Sequence, residues 1–67
     1  MSEISRTAHV EVSSEQQERI DMVRYRFDEL IKELDLLVKP SRETSLGYTK
    51  LEESLFWFIK GISREGE

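Results

Sequence analysis

Five consecutive apolar residues at positions 55–59, Leu-Phe-Trp-Phe-Ile, constrain the fold of this chain more than any other feature. At about 100° per residue, five neighbouring side chains point all the way round a helix. One partner helix covers only one stripe of such a surface, and a chain of 67 residues has room for just one other long helix. The remaining apolar surface needs a second partner. We therefore expect the chain to assemble with copies of itself.

The size and composition of the chain support the same expectation. A domain of 67 residues buries only about 60% of the surface that its unfolded chain exposes. Such small domains usually gain stability from disulfides, a metal or oligomerisation. The chain has no cysteine and one histidine, which excludes a disulfide and disfavours a zinc site. We expect no metal and no cofactor, so oligomerisation remains.

The net charge of −4 disfavours a DNA or RNA polymer as a partner, because nucleic-acid binding needs a basic footprint. It remains compatible with one small anionic ligand in a local basic pocket. The polar N-terminus lacks the apolar core of a signal peptide. No run approaches the ~20 apolar residues of a membrane span. We expect a soluble, cytoplasmic protein without a membrane partner.

Apolar residues at spacings of three and four predict a first helix over residues 14–38. These residues are Ile20, Val23, Phe27, Leu30, Leu34 and Leu37. Ser13 and Ser14 are both good N-caps, and each has a glutamine three residues further on, Gln16 or Gln17. Either pair fits a capping box.

Pro40 ends the first helix, because it pushes the preceding residue out of the helical region. Ser41 is an N-cap candidate for a second helix over residues 42–62. The connection is so short that the two helices must be antiparallel neighbours. The second helix repeats the spacing of three and four with Tyr48, Leu51, Leu55, Phe58 and Ile62. The expected all-α organisation is an N-terminal arm (1–12), a helical hairpin (13–64) and a polar tail (65–67).

Three bulky residues of the second helix fall on the flanks of that seam and form the predicted oligomer interface: Phe56, Trp57 and Ile59. Gly47 lies inside the same helix, where glycine costs roughly 1 kcal/mol relative to alanine. Two interpretations of Gly47 stay open. It is either an imperfect surface position or a place where another helix or a ligand comes close.

No set of residues in the sequence predicts catalysis. A lone histidine without cysteine offers no Cys–His pair, the serines lie in caps and tails, and no glycine-rich phosphate loop is present. Adjacent carboxylates such as Glu52 and Glu53 fall on polar helix faces. We therefore predict that the protein is not an enzyme but a binding or assembly protein.

Basic residues of the first helix are more suggestive. Arg24 and Arg26 flank Tyr25, and arginine binds phosphate through two parallel hydrogen bonds and stacks on planar groups. The alternative for Arg24 is an ordinary helix ion pair with Asp28, four residues further on.

The second helix reads RETSLGYTKLEESLFWFIK from Arg42 to Lys60. Its order is an arginine, a small apolar patch, Thr-x-Leu-Glu, a small residue and a bulky aromatic end. This resembles the second helix of the phage anti-CBASS sponge proteins, which share a helical hairpin with the anti-Thoeris sponges. The first helix is similar too, with a ring residue at His9, a cap at Ser13 and a basic residue at Arg24. The resemblance covers nearly the whole chain from His9.

The resemblance implies a homohexamer, built as a trimer of head-to-head dimers. It also implies that the protein sequesters, without cleavage, the cyclic nucleotides that activate bacterial defence, in the cytoplasm of the host bacterium. His9 stands where the family has a ring that stacks on a base of a cyclic dinucleotide, and Arg24 where a basic residue meets its phosphates. Arg26 and Lys60 correspond to positions of a separate cyclic trinucleotide pocket.

Helix geometry adds one constraint to the implied dinucleotide site. Arg24 lies about 15 Å along the helix from Ser14, and the five residues from His9 to Ser13 span at most ~17 Å when fully extended. We therefore expect His9 and Arg24 around one ligand to come from different protomers. Two alternative functions stay open: the same scaffold holding a cyclic ADP-ribose-type Thoeris signal, and a structural coiled-coil adaptor with a protein partner.

Overall fold

The computed structural model describes residues 12–66, which form the helices α1 (Ser14–Leu37) and α2 (Arg42–Ser63). Contacts between Phe27 and Phe58 and between Asp35 and Tyr48 show that the helices run antiparallel. No strand occurs in this part of the chain. The predicted all-α hairpin is therefore confirmed. The first helix ends one residue before, and the second one residue after, the predicted ends.

Two capping boxes start the helices. Of the two serines that could cap α1, the structure uses Ser13, whose hydroxyl accepts the Gln16 N–H at 3.0 Å while the Gln16 side chain accepts the Ser13 N–H at 2.8 Å. Ser41 and Thr44 make the corresponding bonds at the start of α2, at 3.1 and 2.9 Å. Each cap satisfies two backbone donors that helix geometry leaves unpaired.

The contact between the helices is a thin seam rather than an enclosed core. Ile20, at 4% exposure, is the only buried residue between positions 12 and 66. The rings of Phe27 and Phe58 lie 6.2 Å apart at 54°, in the range of favourable aromatic pairs. The half-buried seam residues are Val23, Phe27, Ile31, Leu34, Tyr48, Leu51, Leu55, Ile59 and Ile62.

Three residues predicted for the seam are exposed instead: Leu30 at 41%, Leu37 at 78% and Phe58 at 58%. A straight α-helix drifts by about 20° per heptad relative to a strict seven-residue repeat, so a two-helix contact covers a narrower stripe than the sequence pattern marks. Ile31 and Ile59 lie half-buried in the stripe that is covered. The apolar pattern therefore extends beyond what one hairpin can bury.

The exposed seam residues divide the hairpin into two broad sides. Each residue turns the helix by 100°, so its position relative to the seam gives the direction of its side chain. Because the helices are antiparallel, residues rotated from the seam in the same sense on α1 and α2 lie on the same side of the hairpin. The glycine side carries Val23, Arg26, Leu30, Leu37, Gly47, Ser54, Phe58 and Gly61, and the tyrosine side carries Arg24, Asp28, Ile31, Asp35, Tyr48, Glu52 and Phe56. Among the described residues, no helix has the length and apolar character needed to cross a membrane.

Candidate ligand-binding site

Arg24 lies exposed on the tyrosine side of α1. Within residues 12–66 its guanidinium forms no ion pair and no hydrogen bond, so the alternative pairing with Asp28 is absent. Its donors are therefore unused within residues 12–66, and an arginine in this state can offer two parallel hydrogen bonds to a phosphate. His9, the ring residue implied for the same ligand, lies outside the described residues.

Carboxylates surround Arg24 on its own helix. Asp21 and Asp28 lie about one turn away on either side. Towards the interhelical connection, the tyrosine side holds a cavity of about 480 Å³ with three carboxylates, Asp28, Asp35 and Glu52, in its lining. A phosphate is repelled there. One Arg24 against this background attracts an anion weakly, and a second copy of Arg24 would double the local positive charge.

The two arginines that flank Tyr25 point to opposite sides of the hairpin, because residues two apart on a helix differ by about 200°. Arg26 lines an apolar cavity of about 260 Å³ on the glycine side, next to Met22 and Phe58. Lys60 lies elsewhere on α2, with its ammonium 5.4 Å from the centre of the Trp57 ring, a cation–π distance. One hairpin therefore does not bring Arg26 and Lys60 together, and a pocket that uses both would take them from different protomers.

The predicted interface residues differ in exposure. Phe56 and Trp57 are each 62% exposed, whereas Ile59 is half-buried toward the seam. Trp57 lies on the surface of α2 that faces away from α1, and its neighbour Phe56, about 100° round the helix, lies on the tyrosine side. Both rings therefore leave apolar surface in contact with water in the single hairpin.

A polar clamp closes the open end of the hairpin, where α1 begins and α2 ends. The Gln16 amide group donates to the Ile62 carbonyl at 2.8 Å and to the Glu65 carbonyl at 3.4 Å. The Arg19 guanidinium holds the Glu65 carboxylate with two bonds of 2.7 Å. The hydrogen bonds and the charge of Arg19 hold the pKa of Glu65 below its usual range, and Glu65 raises the pKa of Arg19. The first turns of α1 are thereby fixed to the end of α2.

This clamp was missed in the sequence, where residues 65–67 read only as a polar tail. The available signal was the glutamine at the third position of α1, but its partners lie 46 and 49 residues away. At the other end, the Tyr48 hydroxyl donates to Asp35 at 2.6 Å. That hydrogen bond, with burial and the Asp35 charge, raises the pKa of Tyr48, because each opposes the phenolate. Both ends of the hairpin are therefore held by polar contacts.

We expect acid to release the clamp at the open end. The pKa of Glu65 is lowered in the folded state. The stabilisation that the ionised Glu65 gives to the fold is therefore present above the ordinary carboxyl pKa and is lost as the pH falls through the lowered pKa. Glu65→Gln should lower the melting temperature slightly at pH 7 and flatten its decline between about pH 5 and 3. The matched control is Glu53→Gln, since the one partner of Glu53 among residues 12–66 is Lys50, at 3.8 Å. Identical pH profiles for wild type and Glu65→Gln would contradict this role.

The architecture defines a class of protein: a small α-helical hairpin with polar clamps and apolar surface left exposed. The family model of the Acb2/Tad1 hairpin domain matches residues 3–63, which is nearly the whole chain. The chain therefore belongs to this family of anti-CBASS and anti-Thoeris sponges, and the resemblance seen in the sequence is confirmed. The family indicates a sponge-type anti-defence role with small-molecule binding in general. No curated protein and no solved structure matches the chain significantly.

Among residues 12–66, no group of three or more histidine, cysteine, aspartate or glutamate side chains is placed to hold a metal ion. The described part of the site therefore consists of organic cations, exposed rings and carboxylates. The cations and rings among them are able to bind and orient an anionic ligand through charge-assisted hydrogen bonds and stacking, whereas the carboxylates oppose it.

Proposed function

We propose that this protein is a phage-encoded sponge that binds cyclic di- and trinucleotide second messengers and so blocks CBASS immunity, without cleaving them. The observation that carries the proposal is the family match over residues 3–63. The free guanidinium of Arg24 supports it, because a cation without a partner in its own hairpin is available to a phosphate. The protein acts in the cytoplasm of the infected host, where these messengers are made.

The proposed ligand site lies between protomers of a homohexamer, a trimer of dimers. A cyclic dinucleotide carries two phosphates and two bases related by a near two-fold axis, and a head-to-head dimer offers two copies of Arg24 and His9 in the same symmetry. Each Arg24 binds a phosphate, and each His9 stacks on a base. Arg26 and Lys60 are the proposed cations of a second, trinucleotide site, contributed by different protomers.

A second candidate ligand is a cyclic ADP-ribose-type signal of the Thoeris system, because the matching family model covers both branches of the sponge family. Such a molecule also combines rings with a charged phosphate chain. A scaffold that binds it would use the same cations and rings. The structural adaptor stays the alternative from a different class, since exposed Phe56 and Trp57 also fit a protein partner.

A melting screen of the full chain separates these proposals. A ligand at 100 times its Kd adds ~2.7 kcal/mol to folding stability, which for a domain of this size raises the melting temperature by roughly 10–20 °C. The screen uses cyclic dinucleotides, cyclic trinucleotides and cyclic ADP-ribose as separate additions. A shift with a cyclic oligonucleotide alone supports the first proposal. No shift with any addition, at concentrations far above the cellular range, would contradict both sponge proposals.

We expect the bound ligand to be returned unchanged. The sequence holds no combination of a nucleophile with a base that could open a phosphodiester. Wild-type protein is incubated with the nucleotide that gives the largest melting shift, then heat-denatured, and the supernatant is analysed by chromatography. Intact cyclic nucleotide, in the amount added, is the expected result. A linear product that is absent from a protein-free control would end the proposal of sequestration without cleavage.

A further inference from the structure

The glycine side of the hairpin carries apolar residues along its whole length and has no cover in the described chain. Leu30 is 41% and Phe58 58% exposed there. An apolar hollow of about 260 Å³ lies near the open end, beside Phe58, and one of about 210 Å³ lies near the connection, beside Gly47. A surface of this kind costs free energy in water unless a partner covers it.

Residues on this side repeat every seven positions on both helices. In α1 the row is Val23, Leu30 and Leu37, and in α2 it is Gly47, Ser54 and Gly61. A Cβ atom added to Gly47 or Gly61 would meet nothing within 4 Å. The packing inside one hairpin therefore does not require either glycine, although each weakens its helix relative to alanine.

Both rows are centred at the same height along the hairpin. Phe27 lies opposite Phe58, and Asp35 lies opposite Tyr48, so Leu30 lies at about the height of Ser54. Consider a second copy related by a two-fold axis at this height, in the plane between the two glycine sides and perpendicular to the helices. Each row then lies against the same row of the second copy, running in the opposite direction. Leu30 would meet Leu30 of a second copy, and Gly47 would meet the second copy's Gly61. Two copies then form a four-helix bundle in which all neighbouring helices are antiparallel.

Charge gives this arrangement a specific partner. Arg26 and Glu33 lie on the glycine side of α1, four residues before and three residues after Leu30. Within residues 12–66, neither forms an ion pair or a hydrogen bond. The two-fold axis brings Arg26 of each copy beside Glu33 of the other, because their positions are nearly symmetric about Leu30. Antiparallel neighbours also place helix dipoles in a favourable arrangement.

We propose that the glycine side is the pairing face between two copies of this chain, with Arg26 of each copy bound to Glu33 of the other. The inference rests on the proposed homo-oligomer and adds a contact to it: Arg24 lies on the tyrosine side, so the pairing face is distinct from the contact that brings two copies of Arg24 around a ligand. The other two-fold arrangement has its axis along the helices and places Glu33 beside Lys50 of the second copy. Lys50 already meets Glu53 at 3.8 Å in its own hairpin, whereas Arg26 has no partner within residues 12–66, which favours Arg26 as the partner of Glu33.

Charge reversal tests the contact, with the mass of the full chain measured by sedimentation equilibrium over a range of concentrations. Arg26→Glu and Glu33→Arg should each weaken pairing at least tenfold, because two attractive contacts per dimer become repulsive. The double variant should return to within about threefold of wild type. Lys32→Glu is the matched control: it makes the same charge change on α1, away from the glycine side, where Lys32 meets Glu29 at 3.4 Å.

Three outcomes overturn the pairing face. The first is an unchanged mass in both single variants, and the second is a double variant that stays as weak as the single ones. The third is rescue of Glu33→Lys by Lys50→Glu, which would establish the other two-fold arrangement. In the first two cases the proposed sponge function stands if wild type still binds a cyclic nucleotide. A wild type that is monomeric at all concentrations would instead remove the oligomer on which the function is built.

Gly47→Ala supplies an independent test with opposite expectations for a free and a covered surface. In a hairpin with open space at Gly47, alanine strengthens α2 and leaves any association unchanged. At a close helix contact, the added methyl groups separate the two copies and weaken pairing, by at least tenfold as we expect. Ser45→Ala, on the opposite side of the same helix turn, is the control. Stronger or equal association in Gly47→Ala would overturn the close contact.

Discussion

Trp57→Glu is expected to dissociate the oligomer while leaving the hairpin helical. In a single hairpin Trp57 is 62% exposed and meets Lys60 over its ring at 5.4 Å, so a surface substitution there would change stability by at most about 0.5 kcal/mol. At a packed contact between copies, the same glutamate would be buried without a partner and cost several kcal/mol. Light scattering should show a much smaller mass, and circular dichroism should show retained helix.

Trp57→Phe is the matched control, because it keeps an apolar ring at the same position and should keep the wild-type mass. Comparison with the charge reversals on the glycine side is informative, since Trp57 borders the glycine side, three residues after Ser54 and four before Gly61. A hexamer needs two kinds of contact, and removing one should leave a defined smaller species. A Trp57→Glu variant with the wild-type mass and a normal melting curve would show that this surface is not an interface.

Local signals in the sequence predicted the helices well. Ser41 and Pro40 define the break between the helices, and the structure begins α2 at the residue after Ser41. The choice of Ser13 over Ser14 as the first cap stayed open, since both have a glutamine three residues on. Only the geometry of the Gln16 side chain, which also reaches Ile62, distinguishes them. Short-range hydrogen bonds are readable from the sequence because they depend on spacing alone.

The apolar pattern was less specific about which partner covers each residue. It marked Leu30, Leu37 and Phe58 for the contact between the helices, yet all three are exposed in the hairpin. A hydrophobic repeat records the burial of a side chain in the assembled state and does not say which helix covers it. The difference between the expected and the observed seam therefore locates apolar surface that the partner helix leaves uncovered.

The candidate site was predictable in part. The sequence alone left Arg24 between an ion pair with Asp28 and a ligand contact, and the structure shows no such pair in the described chain. That outcome depends on side-chain conformation, which spacing does not determine. By contrast, the separation of Arg24 from Arg26 follows from helix periodicity. The Arg19–Glu65 clamp joins residues 46 apart and depends on the register of the hairpin.

Arg26 is now assigned two roles, one in the trinucleotide site and one in the pairing face. The charge-reversed double variant Arg26→Glu/Glu33→Arg distinguishes them, because it restores the contact between copies while leaving no cation at position 26. If trinucleotide binding persists in that variant, Arg26 acts through assembly. If the oligomer returns but trinucleotide binding does not, Arg26 contacts the ligand. Lys60 lies on another surface, with its ammonium over the Trp57 ring. It is the other proposed cation of the trinucleotide site and has no part in the pairing face, so its replacement gives the loss of trinucleotide binding with which the Arg26 variants are compared.

Arg24→Ala is expected to weaken cyclic dinucleotide binding by at least a hundredfold and to leave the mass of the oligomer unchanged. Each Arg24 has no partner among residues 12–66, so its removal costs the hairpin little. In the complex each Arg24 would donate charge-assisted hydrogen bonds to a phosphate, worth about 1.5–3 kcal/mol. The substitution removes both symmetric copies, so the two losses would add. His9→Ala should weaken binding less, since stacking contributes roughly 1–3 kcal/mol per base, and His9→Tyr should preserve or improve it.

Lys32→Ala is the matched control for Arg24→Ala, because it removes an exposed cation from the same helix, about two turns from Arg24, where Lys32 meets Glu29 at 3.4 Å. Titration calorimetry of both variants against the nucleotides that wild type binds measures the difference directly. A large loss of affinity in both variants would reflect the net charge of the protein rather than one site, since long-range attraction is shared by all cations. Unchanged affinity of Arg24→Ala for every one of these nucleotides would remove Arg24 from the site.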